Sequence, residues 1–157
     1  MASRRIARHY ALMVLYGMDF SHDGPKIGLN SLWNSIDVPE NLAVDQQPLS
    51  KRTPQPTEKQ FADLLVRGVS EHLDDIDHKI NTSSRNWTLS RMATAERNIL
   101  RIGVYEMFYM EDIPVKVSIN EAIEMAKVYC EINSYSSKKS APQFINDVLD
   151  NIAKLHR

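Results

Sequence analysis

Between Ala95 and Lys127, in AERNILRIGVYEMFYMEDIPVKVSINEAIEMAK, apolar residues recur at intervals of three and four rather than two. Such a pattern commits the chain to packed helices, because a 3.6-residue repeat brings positions i, i+3 and i+4 to one side. Ile99, Leu100, Gly103, Val104, Met107 and Phe108 form one face of a helix beginning near Thr94, with Arg97, Arg101 and Tyr105 on the polar face. Ile113-Pro114 stops it, since a residue before proline is biased out of the helical region. Ser118 with Glu121 three residues later reads as a capping box for a second helix, whose apolar stripe is Ile119, Ala122, Ile123, Ala126 and Cys130. Small residues on facing surfaces, Gly103, Ala122 and Ala126, let the two backbones approach closely.

A chain of 157 residues has the size of one domain and buries roughly 70% of its unfolded surface without disulfides. Its single cysteine, Cys130, has no partner within the chain. The apolar stripe makes it a buried small hydrophobe, with a reactive thiol as the alternative. The apolar stretch at the amino terminus is interrupted by Tyr10, Tyr16, Gly17 and Asp19, which fits neither a secretory leader nor a membrane span. A soluble, cytoplasmic protein is the expectation. The formal net charge of −1 leaves attraction to a polyanion to a local patch.

One such patch stands at the start. Ser3 can cap a helix whose buried stripe is Ala7, Ala11, Val14, Leu15 and Met18, ending near Phe20. Arg4, Arg5, Arg8 and His9 crowd its first two turns, and Arg5, His9, Leu12 and Tyr16 fall along one line expected to be exposed. Cations at a helix amino terminus oppose the macrodipole, so helix stability alone does not explain them. A ligand is one explanation, and a merely solvated basic face is the other.

Residues 21–56 are weakly periodic and rich in Pro and Gly, and read as a connecting region. Leu29, Leu32, Trp33 and Ile36 fit one short helix, with Trp33 covering the core; Val38 to Pro56 reads as an exposed loop. Thr57 and Gln60 form a second capping box. The helix it starts runs from Phe61 through Leu65, Val69, Leu73 and Ile76 to Ile80 and ends at Asn81 to Ser84. Trp87, Leu89 and Met92 pin the entry to the helix that begins near Thr94. After a polar loop with Lys138 and Lys139, Ser140 can cap a last helix with Pro142 in its first turn and Phe144, Val148, Leu149, Ile152 and Leu155 inward. With no strand pattern or repeat, an all-α domain follows.

The five histidines are scattered, and none stands with Cys or a second His at metal-ligand spacing. Asp74, Asp75, Asp77 and His78 can be read as a cation site, but between Leu73, Ile76 and Ile80 they read better as the wet face of a helix. Glu106 is distinct. Its helical neighbours Ile102, Gly103, Tyr109 and Met110 include no cation, which suits a buried carboxylate that accepts backbone N–H groups of an adjoining helix.

Taken together and in order, SRRIARHYALMVLY, RNWTLSRMATAERNILRIGVYEM, IPVKVSINEAIEMAK and FINDVLD resemble the NusB family of bacterial transcription antitermination factors. The resemblance covers the first helix and most of the second half. It implies an all-α, NusB-like fold of two small three-helix bundles packed at an angle. It also implies binding of boxA-type RNA together with NusE, a ribosomal small-subunit protein, in antitermination by RNA polymerase on ribosomal RNA transcripts. No catalysis, cofactor or metal belongs to that activity. RNA would meet Arg4, Arg5, Arg8 and Tyr16 on the first helix and Gln143, Phe144 and Asn146 on the last, with Phe144 equally suited to the core. Lys138 and Lys139 would supplement them, and Glu96, Arg97 and Arg101 would meet NusE.

Three departures from the family pattern, Ile6, Gln143 and Asp147, lower the positive charge expected near that surface. Two other readings fit the residues: an RNA-targeting domain like those attached to some RNA cytosine methyltransferases, and a structural helical homodimer.

Overall fold

The computed structural model describes residues 2–35, 38, 42–83, 88–129 and 141–156. Among these the fold is all-α, as expected, with α1 (Arg4–Ser21), α2 (Pro25–Ser35), α3 (Pro56–Glu71), α4 (Leu73–Ser83), α5 (Thr94–Tyr109), α6 (Val115–Tyr129) and α7 (Ala141–His156). A two-residue hairpin, β1 (Ala43–Val44) and β2 (Gln47–Pro48), lies between α2 and α3. The chain forms two compact units, residues 1–67 and 68–157, and the division falls inside α3.

In the first unit, α1 is buried without a break from Ile6 to Leu12. It is therefore covered on more than one side rather than carrying a single apolar stripe. Ser3 caps it, its Oγ accepting the Ile6 N–H at 3.2 Å. At the other end His22 takes a left-handed conformation (φ 61°) and donates its N–H to the Met18 carbonyl at 2.9 Å. α2 packs closely on α1 where Gly28 passes Val14: a Cβ there would stand 3.0 Å from Val14 Cγ1. Trp33 meets Tyr10 edge-on at 5.5 Å, in keeping with its expected place over the core.

The stretch expected as an exposed loop proves to be built into this unit. Val38, Leu42, Val44 and Leu49 are all buried. The hairpin pairs Ala43 with Pro48 and Val44 with Gln47, and Asp45 (φ 52°) and Gln46 (φ 65°) supply the two left-handed residues that join them. Two-residue strands are too short to show alternation, which is why no strand pattern was legible.

The start of α3 also differs from expectation. Pro56 takes the first helical position, where its missing N–H costs nothing, and Glu58 reaches back to accept the Gln55 N–H at 2.9 Å. Glu58 thus does the work expected of the Thr57 and Gln60 pair.

In the second unit, the long helix expected to run on to Ile80 is interrupted at His72. Its N–H donates to the Gly68 carbonyl to close α3, and its carbonyl accepts from Ile76 to open α4. Asp74 and Asp75 in the first turn of α4 favour a new helix there, while the unbroken apolar spacing conceals the junction. α5, α6 and α7 pack on one another, and α4 lies against α5 and α7. Tyr105, expected on the polar face, is buried; its ring fills the space beside Gly68, where a Cβ would collide with it. Gly103 faces α7 rather than α6, since a Cβ there would stand 2.9 Å from Leu149 Cδ1. Leu155, expected inward, is 60% exposed.

α5 begins at Thr94 as expected but ends at Tyr109, before Ile113-Pro114. α6 begins directly after Pro114, so Ser118 lies inside the first turn and is not its cap. Its N–H donates to the Pro114 carbonyl at 3.2 Å, and its buried hydroxyl donates to Glu106 Oε1 at 3.0 Å. Glu106 is buried as expected and ties α5 to α6 through the Ser118 hydroxyl. Two acidic residues of α4 face cations: Asp75 takes Lys79 at 2.7 Å, and Asp77 takes Arg101 at 2.8 and 3.0 Å. Ile36, Ser84, Trp87, Cys130, Lys138, Lys139 and Ser140 lie outside the described residues.

Candidate nucleic-acid interface

The first turn of α1 contains no acidic residue, so Arg4 and Arg5 stand beside the positive end of the helix with no carboxylate from that turn. Arg4 is exposed, and its guanidinium carbon lies 4.6 Å over the Phe61 ring of α3. Arg8 lies over the same ring at 5.4 Å but is buried, where an exposed position was expected. Two guanidiniums over one aromatic ring are held by cation–π attraction, which also restricts their rotamers. Arg5 pairs with Asp45 at the hairpin tip at 2.9 Å, both side chains being substantially exposed. A pair this wet is weak and exchangeable.

The line expected from Arg5 through His9 and Leu12 to Tyr16 is not an exposed row. His9 and Leu12 are buried, because the middle of α1 is enclosed on several sides. Tyr16 does reach the surface and is 44% exposed. Beside it stands Phe20, 63% exposed, with ring centroids 5.1 Å apart. Ile6, read as a lost surface arginine, is a core residue.

What holds the start of α1 is a set of residues that no sequence pattern singled out. Glu58, buried in α3, accepts the Ser3 N–H at 2.8 Å and the Gln55 N–H at 2.9 Å. It also receives a two-pronged bond from Arg52, at 2.7 and 3.0 Å. Arg52 further donates to the Tyr10 hydroxyl at 3.3 Å. Burial pushes the Glu58 carboxyl up, but Arg52 and the two backbone donors outweigh it and hold the group below the usual carboxylate range. Burial likewise raises the Tyr10 hydroxyl, against the opposing pull of Arg52. The legible signal was Gln55-Pro56-Thr57-Glu58, with proline at the first helical position and glutamate two residues on.

In the second unit, α7 carries the other expected RNA residues in its first turns. Gln143 is exposed and donates to Asp147 Oδ1 at 2.9 Å, so two of the departures satisfy each other one turn apart. Phe144 and Asn146 are half-buried. On α5, Glu96 is half-buried, and burial pushes its carboxyl up. Arg97 donates to the Leu89 carbonyl at 3.3 Å and to Thr94 Oγ1 at 3.5 Å. Arg101 is held by Asp77 and also donates to Asn98 at 3.2 Å. These two arginines brace the unit as well as forming part of its surface.

Near them is a ring stack that the apolar spacing did not separate from core. His72 lies on Tyr109 at 4.0 Å, and Tyr109 on Tyr105 at 5.4 Å. Tyr109 donates its hydroxyl to Asp75. That bond, with burial, pushes the hydroxyl up to about 12.

Among the described residues there is no cluster of His, Cys, Asp and Glu that could hold a metal ion, and no helix long and apolar enough to cross a membrane. The architecture defines an all-α protein whose first helix opens on arginines and ends on exposed aromatic rings. The NusB family model matches residues 5–154, and the chain belongs to the NusB family.

A transcription antitermination protein NusB from Thermodesulfovibrio yellowstonii is 40% identical over 152 residues, covering 96% of this chain and 91% of the relative. The solved NusB of T. maritima superposes with a TM-score of 0.75 at 29% identity, covering 99% of this chain and 94% of that one. A structure of NusB and NusE in complex with double-stranded RNA shares the fold, with a TM-score of 0.73 at 22% identity, covering 96% of each chain.

Proposed function

We propose that this protein is a cytoplasmic transcription antitermination factor that binds boxA-type single-stranded RNA together with NusE, acting within the RNA polymerase antitermination complex on nascent ribosomal RNA transcripts. The observation that carries this reading is the start of α1, where Arg4 and Arg5 stand at a helix end that disfavours cations, with no acidic residue in the turn. Guanidinium groups bind phosphate bidentately, and an exposed ring such as Tyr16 offers a stacking surface to an unpaired base. The fold neighbour solved as NusB and NusE in complex with double-stranded RNA supports RNA and NusE as the partners, though not the single-stranded form of the RNA. The residues proposed for RNA are Arg4, Arg5, Arg8, Tyr16, Lys138, Lys139, Gln143, Phe144 and Asn146; those proposed for NusE are Glu96, Arg97 and Arg101.

The test is a titration of boxA-type and scrambled RNA, with and without NusE. Preference for boxA-type RNA supports the reading, and equal binding of both RNAs in every case rejects it. Replacing Arg4, Arg5 and Arg8 with Ala should weaken RNA binding and flatten its salt dependence by about 0.7 in log–log slope for each phosphate no longer neutralised, while NusE binding is retained.

A further inference from the structure

We infer that Glu58 is a positioning residue for RNA binding, holding the start of α1 so that Arg4 and Arg8 stay in register over Phe61. The inference rests on the RNA reading above. Its basis is that the first turns of α3 grip the start of α1 at two places. Glu58 takes the Ser3 backbone N–H at 2.8 Å, and Phe61, three residues on, carries the guanidiniums of Arg4 and Arg8 at 4.6 and 5.4 Å. Ser3 is also the cap of α1. Anchoring its backbone therefore fixes where the helix begins and the direction in which the Arg4 side chain leaves it.

A carboxylate is well suited to this task. The Ser3 N–H is one of the amide groups at a helix start that lack an intrahelical acceptor, and a charged acceptor binds it more strongly than a neutral one. Glu58 can hold that charge in a buried position because Arg52 engages both of its oxygens. Arg52 also reaches Tyr10 in the next turns of α1, so the clasp touches that helix twice. Ordering the exposed Arg4 before RNA arrives reduces the entropy lost when it closes on phosphate.

Electrostatics alone predicts the opposite effect for Glu58. It is an anion close to a site for a polyanion, so removing its charge should strengthen RNA binding. The sign of the change therefore separates the two views.

The experiment is a double-mutant cycle between Glu58→Gln and Arg4→Ala, read by titration with boxA-type RNA, with the folded fraction checked by thermal melting. Glu58→Gln is expected to weaken binding about fivefold in the wild-type background and less than about twofold in the Arg4→Ala background, the non-additivity of residues acting through one another. A merely structural role would give the same loss in both. Unchanged or tighter binding by Glu58→Gln, or equal losses in both backgrounds, overturns the inference while the RNA reading stands. An Arg4→Ala variant that binds boxA-type RNA like the wild type overturns this inference while the RNA reading stands; equal binding of boxA-type and scrambled RNA by the wild type overturns the RNA reading and this inference with it. If Glu58→Gln does not fold, Phe61→Leu, which removes the ring beneath the guanidiniums, enters the same cycle with the same criteria.

Discussion

Each unit of this protein buries a carboxylate, and the two are kept in different company. Glu58 in the first unit receives four donors, two of them from Arg52. Glu106 in the second accepts the Ser118 hydroxyl, and its unit is otherwise braced by close apolar approaches at Gly68 and Gly103. The first is an ionic clasp at a helix start; the second is a polar pin within an apolar bundle. A buried ion pair adds little over a well-packed apolar equivalent but is costly to break from one side. The first unit should therefore be the more sensitive to loss of a single charged partner.

The largest effect is expected from Arg52→Met, which leaves the Glu58 carboxylate buried without its cation and should cost about 3–5 kcal/mol. Chemical denaturation would measure it, and a loss below that for Glu106→Ala would reverse the comparison. Glu106→Ala leaves the Ser118 hydroxyl unpaired beside a new cavity and should cost about 2–3 kcal/mol. Melting temperature should fall while RNA binding per folded molecule is retained; unchanged melting would dissolve the pin.

Gly68→Ala must displace the Tyr105 ring, and overpacking reduced by the gain in helix propensity leaves a net loss of about 1–2 kcal/mol. Gly28→Ala in the first unit should cost less, because its neighbours at 3.0 and 3.1 Å include the pliable Met18 chain. A larger loss at Gly28 would show that close packing is the stricter demand in the first unit.

The smallest effects are those of pH, and they take opposite directions. Glu58 has a lowered folded pKa, so its stabilisation is present above the ordinary value of 4.5 and is lost as pH falls below it towards the folded value. Asp75 in the second unit shifts the same way through Lys79 and Tyr109, but it is exposed enough for solvent to screen most of the effect. Tyr109 has a raised folded pKa, so its stabilisation, screened in the same way at this exposed bond, is present below pH 10.0 and lost as pH rises to about 12. Residue-resolved hydrogen exchange should show acid loosening the start of α1 first and alkali loosening the contact between α4 and α5. The reverse order would break the assignment.

Residues that repeat a pattern were legible in the sequence; residues that satisfy a local demand were not. The helical spacing gave α1, α5 and α7, and the absence of a nearby cation singled out Glu106. The same spacing concealed the interruption at His72, where two helices meet without glycine or proline to mark the junction. At the candidate site, Arg4, Arg5 and Tyr16 were legible as an excess of cations and a ring on one helix. Arg8 and His9 were misjudged as exposed because periodicity assumes one buried side, whereas α1 has several. Glu58 and Asp45 escaped because their partners, Ser3 and Arg5, are 55 and 40 residues away.

The hairpin tip limits how this part of the chain can change. The left-handed conformation of Asp45 (φ 52°) is tolerated by glycine, asparagine and aspartate, and strains most other residues. Its ion pair with Arg5 requires a carboxylate. Asparagine would preserve the turn and lose the ion pair; glutamate would preserve the charge and strain the turn. Aspartate alone meets both demands; because the pair is exposed and weak, the backbone demand is the stricter, and asparagine or glycine is expected to be tolerated at position 45 better than glutamate.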